Sequence, residues 1–255
     1  MSDVVIDRRN IKDSGNQYLE NKKHIALFLT GWIGFQIIAS ILAVLAVSIY
    51  GKTEILNEAS ISMAINCVSY GILVTCLFAI FGFTNLGNLI KKFKFIRTYI
   101  AAAVCVVSII AFDNFYSIIL NSIKTNVVDN VNETNIVSLT TMYPLFSIIF
   151  FGIVGPICEE MTYRIGLFSL CNKKSKALAY IITIVIFAFI HFNLNCLLTD
   201  NIDTDLLINE LLNLPFYLFA GLAFAFTYDH YGFEASATAH IVNNLLSLLV
   251  SIFSK

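Results

Sequence analysis

Residues 143–171 read YPLFSIIFFGIVGPICEEMTYRIGLFSLC. The segment exceeds the roughly 20 apolar residues that an α-helix needs to cross the hydrocarbon core of a bilayer. It also contains Glu159, Glu160 and Arg164, and charged side chains at such a depth are costly and usually functional. The segment therefore predicts a membrane-spanning helix with a polar site inside it.

The composition of the whole chain indicates a membrane protein. Hydrophobic residues make up 58% of the 255 positions and charged residues 13%, whereas soluble domains carry about 25% charged residues. The net charge of −1 provides no basic surface for nucleic acid, so the lipid bilayer is the expected partner instead. The six cysteines show no paired spacing and are interpreted as small apolar residues, not as disulfides or zinc ligands.

Seven apolar segments are candidates for spanning helices. They are 25–48, 61–83, 97–120, 143–171, 177–198, 206–229 and 233–252. Counts of six or eight stay open, because a long segment can split and a weak one can be re-entrant. We expect an all-α fold, a polytopic transmembrane helical bundle of about seven (six to eight) spanning helices. Residues 1–23 would be a cytoplasmic N-terminal tail, and residues 24–255 a single transmembrane domain.

The distribution of Lys and Arg predicts the orientation. The tail and the loops after the second and fourth segments carry twelve of them, and the alternate loops carry Lys52 and Lys124. Basic residues concentrate in cytoplasmic loops, so the N-terminus is predicted in the cytoplasm. The abundance of Asn, Ile and Lys suits an AT-rich bacterial genome, and we therefore expect a multi-pass protein of a bacterial plasma membrane.

Two later segments carry further polar pairs. Phe187 and His191 are four residues apart, as are His240 and Asn244, so the members of each pair share a helix face. At 1.5 Å per residue, all the polar groups fall roughly 10–22 Å from the predicted cytoplasmic ends. Pro156 precedes the glutamates by about one turn and should kink that helix and free a carbonyl group.

These residue types suit the activation of water. Glu160 shares a helix face with Arg164, whereas Glu159 is turned by about 100° from Glu160. A carboxylate near a histidine can hold and deprotonate a water molecule, and a second histidine with an asparagine can stabilise an oxyanion. A zinc ion held by Glu159, His191 and His240 is an alternative. Each pair alone also has a structural explanation, as an ion pair or an interhelical hydrogen bond.

The remaining polar residues of the apolar segments are given other roles. His24 and His230 are interpreted as structural. Asp113, Asn114 and Glu210 are expected near the outer ends of their segments, within reach of water. Three neighbours of the motifs could line the site: Tyr163, Asn193 and Asn195.

In this order, Glu159-Glu160-xxx-Arg164, Phe187-xxx-His191 and His240-xxx-Asn244 resemble the motifs of the CPBP family. This family comprises CAAX proteases and bacteriocin-processing enzymes and is also called the Abi family. The resemblance covers about residues 140–250, the protease-like core. It implies an intramembrane endopeptidase with Phe187 in the substrate pocket. The catalytic residues that it implies are Glu159, Glu160, Arg164, His191, His240 and Asn244.

The resemblance also implies roles. Glu159 and His191 would activate the attacking water, and His240 would stabilise the oxyanion together with Asn244. Glu160 would hold the site with Arg164. The family is often counted among metalloproteases, yet a metal-free mechanism with a glutamate-activated water has also been proposed for it. No cofactor is therefore certain, and zinc is the one that the residues would accept.

Several biological roles are compatible with this resemblance. The expected substrate is a hydrophobic or membrane-anchored peptide or protein, as in CAAX processing, peptide-pheromone maturation or bacteriocin processing. The first alternative is a non-catalytic immunity or binding protein that sequesters a peptide or a partner helix. The second is a transporter or proton relay, because buried Glu and His residues also serve there. The absence of an inverted repeat in the sequence disfavours the transporter.

Overall fold

The computed structural model describes residues 19–50, 57–123, 130–198 and 203–253. Over these ranges the chain is helical and contains no strand. In chain order the helices are α1 (Asn21–Ile49), α2 (Glu58–Phe81), α3 (Phe83–Ile90), α4 (Ile96–Ser122), α5 (Val131–Met142), α6 (Pro144–Asn172), α7 (Lys176–Phe189), α8 (Asn195–Leu198), α9 (Thr204–Tyr231) and α10 (Phe233–Phe253). A 3₁₀ turn, Lys91–Lys94, joins α3 to α4.

Six of these helices, α1, α2, α4, α6, α9 and α10, are long and apolar enough to cross a membrane. The expected all-α polytopic bundle is therefore confirmed. These six helices correspond to six of the seven predicted segments. All six cysteines are free thiols, and Cys105, Cys158 and Cys196 are buried.

The prediction of a continuous fifth span over residues 177–198 is wrong. Helix α7 ends at Phe189 after 14 residues, about 21 Å of helix, and the hydrocarbon core is about 30 Å thick. The chain then turns through His191 before α8. The amides of His191 and Phe192 bond to carbonyls three residues back rather than four, and the amide of Asn193 donates to the Glu210 carboxylate at 3.0 Å.

Helix α6 is interrupted on both sides of its two glutamates. Its backbone winds as a π-helix over Phe150–Val154 and again over Met161–Phe168, with the α-helical turn Gly155–Glu160 between them. Pro156 lies in the first turn of that middle piece, so the disturbance predicted from its ring is found here. Wide π turns inside a helix often occur at functional sites.

Helix α6 packs closely against α1. The His24 Nδ1–H donates to the carbonyl of Ile165 at 2.6 Å, which confirms a structural role for this buried histidine. One residue further along α6, Gly166 allows the backbone of Phe28 to approach so closely that a Cβ atom there would lie 2.9 Å from the Phe28 nitrogen. The contact between the two helices therefore depends on the missing side chain.

Helices α7, α4 and α10 surround α9. Tyr180 on α7 donates to Asp229 at 2.9 Å, and the ring of Phe112 on α4 stacks on Phe219 with centroids 4.1 Å apart. Gly232, with φ 94°, allows the sharp turn between α9 and α10, because glycine adopts positive φ without a steric penalty. These contacts place α7 and α10 so that their motif residues face α6.

The basic residues gather at one end of the bundle. Lys173 donates to Asn21 at 2.7 Å, and Lys176 forms an ion pair with Asp229 at 2.5 Å. Of the ten described Lys and Arg residues, Arg164 lies in the core and nine lie at or beside this end: Lys22, Lys23, Lys91, Lys92, Lys94, Arg97, Lys173, Lys174 and Lys176. We call it the basic end. The basic residues of the N-terminal segment 1–18 lie outside the described residues, as do Lys52 and Lys124.

Replacement of Gly166 by alanine should destabilise the protein. The added Cβ would force the α1 backbone away from α6, and such overpacking costs about 1–3 kcal/mol. Gly71→Ala is the matched control, because nothing lies within 4 Å of a Cβ at this helical glycine. Thermal unfolding in one detergent should show a lower midpoint for Gly166→Ala only. Equal midpoints for the two variants would contradict the close α1–α6 contact.

Candidate active site

Residues of two predicted motifs meet at Glu160, and the third motif reaches the same cluster through Phe187, which packs against Arg164 and His240. This carboxylate is fully buried. Its Oε2 atom accepts from Arg164 Nε at 3.3 Å and from the hydroxyl of Ser236, and its Oε1 atom accepts from His240 Nδ1 at 3.1 Å. Glu160 therefore joins α6 to α10 and fixes the orientation of the His240 ring.

Glu159 points away from this network, as the helix geometry predicts. Its side chain is partly exposed, at 23%, and lines a cavity inside the bundle. Its Oε2 atom has no hydrogen-bond partner among the described residues, and the nearest basic atom is His240 Nε2 at 3.8 Å. His240 thus lies between one satisfied carboxylate and one that is available for chemistry.

His191 lies in the turn after α7. Its Nδ1 atom is 2.8 Å from the carbonyl oxygen of Phe187, and because a carbonyl only accepts, Nδ1 carries the hydrogen. In the neutral ring Nε2 is then a proton acceptor. The ring stacks on Tyr217, with centroids 4.4 Å apart. The two residues hold the imidazole in one orientation.

Phe187 packs at the centre of the site. Its ring centroid is 5.0 Å from that of His191 and 5.9 Å from that of His240. The Arg164 guanidinium carbon lies 5.1 Å from the same ring centroid. A cation over an aromatic face is attracted by the ring electrons, so Phe187 and Glu160 together stabilise the charge of the buried Arg164.

Asn244 binds the broken backbone of α6. Its Nδ2 atom donates to the carbonyl of Phe151 at 3.1 Å. In the wide turn the N–H of Gly155 donates to the carbonyl of Phe150, five residues earlier. By the same pattern, the N–H of residue 156 would donate to the carbonyl of Phe151. That residue is Pro156, which has no N–H. The side-chain amide of Asn244 takes its place and keeps a second hydrogen for another acceptor.

The prediction that Glu210 lies within reach of water is wrong. It is 1% exposed, because the start of α5 and the turn after α7 cover it. One carboxylate oxygen accepts from the amide of Val131 at 3.1 Å, and the other accepts from the amide of Asn193 at 3.0 Å. Asn130 extends this link, since its Nδ2 donates to the carbonyl of His191 at 3.1 Å. Glu210 and Asn130 therefore position the turn that carries His191.

The other polar residues are distributed as follows. Asn114 is exposed, as expected, and Asp113 is half-buried against the cavity. His230 is exposed, with Nδ1 3.6 Å from Asp229. Tyr163 lines the cavity. Sequence reasoning missed Ser236, Tyr217, Asn130 and the inward role of Glu210. Ser236 carried a usable signal, because it lies four residues before His240 on the same helix face.

The cavity has a volume of about 820 Å³, within the range of about 300–1,000 Å³ that is typical of ligand sites. Glu159, His191, His240 and Asn244 line it together with Phe187. Glu160 and Arg164 lie behind this wall. The side chains that can contact a substrate are therefore distinct from Glu160 and Arg164, which position them from behind.

The residues do not fit a three-ligand zinc site. Among the described residues, no three His, Cys, Asp or Glu side chains come together in a group that could hold a metal ion. The zinc alternative thus gains no support from this arrangement.

Comparison with known proteins points to the same part of the chain as the three motifs. A family model described as Type II CAAX prenyl endopeptidase Rce1-like matches residues 141–246, which include all three motifs and confirm the resemblance that they indicate. A protein from Mycoplasma capricolum subsp. capricolum, described as an uncharacterized protein, is 24% identical over 196 residues, 70% of this chain and 53% of that protein. The chain thus spans about half the length of this curated relative. No solved structure matches the chain.

Replacement of Glu210 by glutamine should loosen the turn that carries His191. The amide side chain keeps one acceptor oxygen, but its NH₂ group then faces a backbone N–H that the carboxylate now binds. Loss of a hydrogen bond to a charged group costs about 1.5–3 kcal/mol, so the amides around 190–193 should exchange with deuterium at least about tenfold faster.

Asp205→Asn is the control, because this exposed aspartate lies in the first turn of the same helix. Mass spectrometry of hydrogen exchange in one detergent compares the two variants with the unsubstituted chain. Unchanged exchange around residues 190–193 in Glu210→Gln would show that the carboxylate does not hold this turn.

Proposed function

We propose, taking residues 141–246 as a Rce1-like CAAX-protease core, that the chain is an intramembrane endopeptidase. It hydrolyses a peptide bond of a membrane-associated peptide or protein with a water molecule activated by Glu159 and His191. The observation that carries the proposal is the unpartnered carboxylate oxygen of Glu159, which faces His240 Nε2 beside the cavity.

Glu159 and His191 are suited to the first step. A water molecule in the cavity would donate one hydrogen to the Glu159 carboxylate, and the Nε2 atom of neutral His191 would accept or orient the other. As the oxygen attacks the peptide carbonyl, its proton moves to Glu159. The same carboxyl group then delivers that proton to the leaving nitrogen, and the C–N bond breaks.

His240 and Asn244 are suited to the tetrahedral intermediate. Because Glu160 binds Nδ1 of His240, the Nε2 atom is directed away from Glu160. Since Nδ1 donates to Glu160, a hydrogen on Nε2 as well requires the ring to be in its protonated, imidazolium form. In that form Nε2 offers a donor to the developing oxyanion, and the second amide hydrogen of Asn244 offers another. Donors that are fixed before the reaction stabilise a developing charge strongly. Removal of one such donor typically lowers kcat by about 10²–10³-fold.

Glu160 and Arg164 hold these donors rather than react. Their ion pair is fully buried. Ser236 donates to Glu160, and the ring of Phe187 packs against the Arg164 guanidinium. Glu160 therefore has its acceptor capacity used and is a poor base. Glu159 is therefore the carboxylate that changes its protonation state during the reaction.

The substrate would be a hydrophobic or membrane-anchored peptide or protein. The cavity volume of about 820 Å³ accommodates a few residues of extended chain, and many of its lining residues are apolar or aromatic. A CAAX-type protein, a peptide pheromone and a bacteriocin each contain such a segment. A bacteriocin-immunity role follows if cleavage destroys the peptide.

Glu159→Gln and His191→Ala should abolish cleavage of a library of membrane peptides in detergent or liposomes. Each removes a proton acceptor, and general-base groups contribute about 10²–10⁴-fold to rates. Glu58→Gln and His230→Ala are the controls, because both side chains are exposed and away from the cavity. Mass spectrometry detects the fragments, with and without a chelator.

Two outcomes would contradict the proposal. Fragments that persist in Glu159→Gln would remove Glu159 from the chemistry. The absence of fragments from folded, unsubstituted protein, together with tight retention of a peptide by both forms, would favour the non-catalytic binding protein. Inhibition by chelator that zinc reverses would show that the ligands rearrange around a metal ion.

A further inference from the structure

Glu159 differs from the other proposed catalytic groups in how it is held. Hydrogen bonds orient the side chains of His191, His240 and Asn244, whereas no hydrogen bond from the described residues reaches the Oε2 atom of Glu159. A water molecule on this carboxylate would bond to Glu159 and to His191. Buried waters in proteins typically make about three hydrogen bonds, so the cavity is expected to supply a third partner.

Tyr70, in the middle of α2, lies next to this carboxylate. Its ring lines the cavity, and a Cβ atom on Gly155 would lie 3.5 Å from Cζ of Tyr70, the carbon that carries the hydroxyl. Gly155 and Glu159 are four residues apart in one α-helical piece, so they share a helix face. The charge of Glu159 is close enough to act on the phenol electrostatically. The Tyr70 hydroxyl and the Glu159 carboxylate therefore border the same part of the cavity.

The ring of Tyr70 is fixed, whereas its hydroxyl is free. Phe35 and Phe151 pack against the ring, with centroids 4.9 and 6.3 Å away. No hydrogen bond joins the hydroxyl to the part of the chain that the structure describes. A phenol offers one O–H donor and can also accept a hydrogen bond. A fixed ring with an unused hydroxyl is suited to contact a water molecule in the cavity.

Two other tyrosines line the cavity among the described residues, and both are engaged elsewhere. Tyr163 is 4% exposed, and its ring packs edge-on against Phe187 with centroids 6.0 Å apart. Tyr217 stacks on the imidazole of His191. Tyr70 is partly exposed, and its aromatic partners leave the hydroxyl unused. It is therefore the phenol best placed to act beside Glu159.

We propose that Tyr70 is a further catalytic residue, whose hydroxyl donates a hydrogen bond to the water molecule that Glu159 and His191 activate. One lone pair of the water oxygen accepts from Tyr70, and the other faces the peptide carbonyl. Tyr70 keeps its proton throughout, because the proton of the water moves to Glu159. This inference rests on the proposed peptidase function. It adds a group from outside residues 141–246, the part that the family model matches.

Tyr70→Phe tests the hydroxyl alone, because the ring and its packing are kept. It should lower kcat by at least about fivefold and leave KM unchanged, since a hydrogen bond is lost from the transition state. Placing 4-aminophenylalanine at position 70 keeps a donor and should restore part of kcat. Tyr99→Phe is the matched control, because this exposed tyrosine is not among the described residues that line the cavity. The midpoints of thermal unfolding in one detergent should be equal.

Three outcomes would overturn the proposal. One is an unchanged kcat in Tyr70→Phe. Another is a loss of kcat that 4-aminophenylalanine does not restore, because the donor would then not be the group that matters. The third is a lower kcat in Tyr163→Phe with none in Tyr70→Phe, which would assign the hydrogen bond to the other phenol.

Infrared spectroscopy tests the shared water without any cleavage. The carboxylate band of Glu159 is the band that Glu159→Gln removes, and it should shift in Tyr70→Phe but not in Tyr99→Phe. If detergent-solubilised protein cleaves no peptide, the peptidase function fails, whereas the infrared result still reports whether Tyr70 acts at Glu159. If the protein is active, and neither kcat nor the band changes in Tyr70→Phe, the peptidase function stands and the role of Tyr70 is wrong.

Discussion

The site depends on one buried ion pair, Glu160 with Arg164, inside an apolar bundle. Two charges in such a place are stable only if their geometry is good and their other hydrogen-bonding groups are satisfied. Ser236, His240 and the ring of Phe187 meet part of that requirement. These three residues come from α7 and α10, so satisfying the pair also brings together the three helices that carry the motifs.

A second constraint is the departure of α6 from a regular α-helix. Two wide turns flank the α-helical piece Gly155–Glu160, and within that piece the adjacent Glu159 and Glu160 point about 100° apart. Glu160 faces the interior of the bundle and Glu159 faces the cavity. A protein that needs one inert and one reactive carboxylate obtains both from neighbouring positions of a single helix.

The sequence predicts those parts of the fold and the site that follow from the helical spacing of residues and from the length of apolar segments. Apolar length predicts seven spans, six of which the structure has, and the spacing of four residues correctly pairs Glu160 with Arg164. Spacing could not show the turn that follows Phe189, because the carboxylate that binds the Asn193 amide there comes from Glu210 on another helix. The same long-range contact reversed the expectation for Glu210. The roles of the catalytic residues, the cofactor and the single-domain organisation stay predictions.

The bond between Asn244 and Phe151 has a consequence for how this sequence can change over generations. The carbonyl of Phe151 needs a side-chain donor because residue 156 is a proline. A residue with an N–H at position 156 would supply that donor from the backbone and leave Asn244 without its partner. Conversely, loss of Asn244 would leave a buried carbonyl unsatisfied for as long as Pro156 is present. A substitution at either of the two positions, distant in sequence, therefore changes what the other one has to provide.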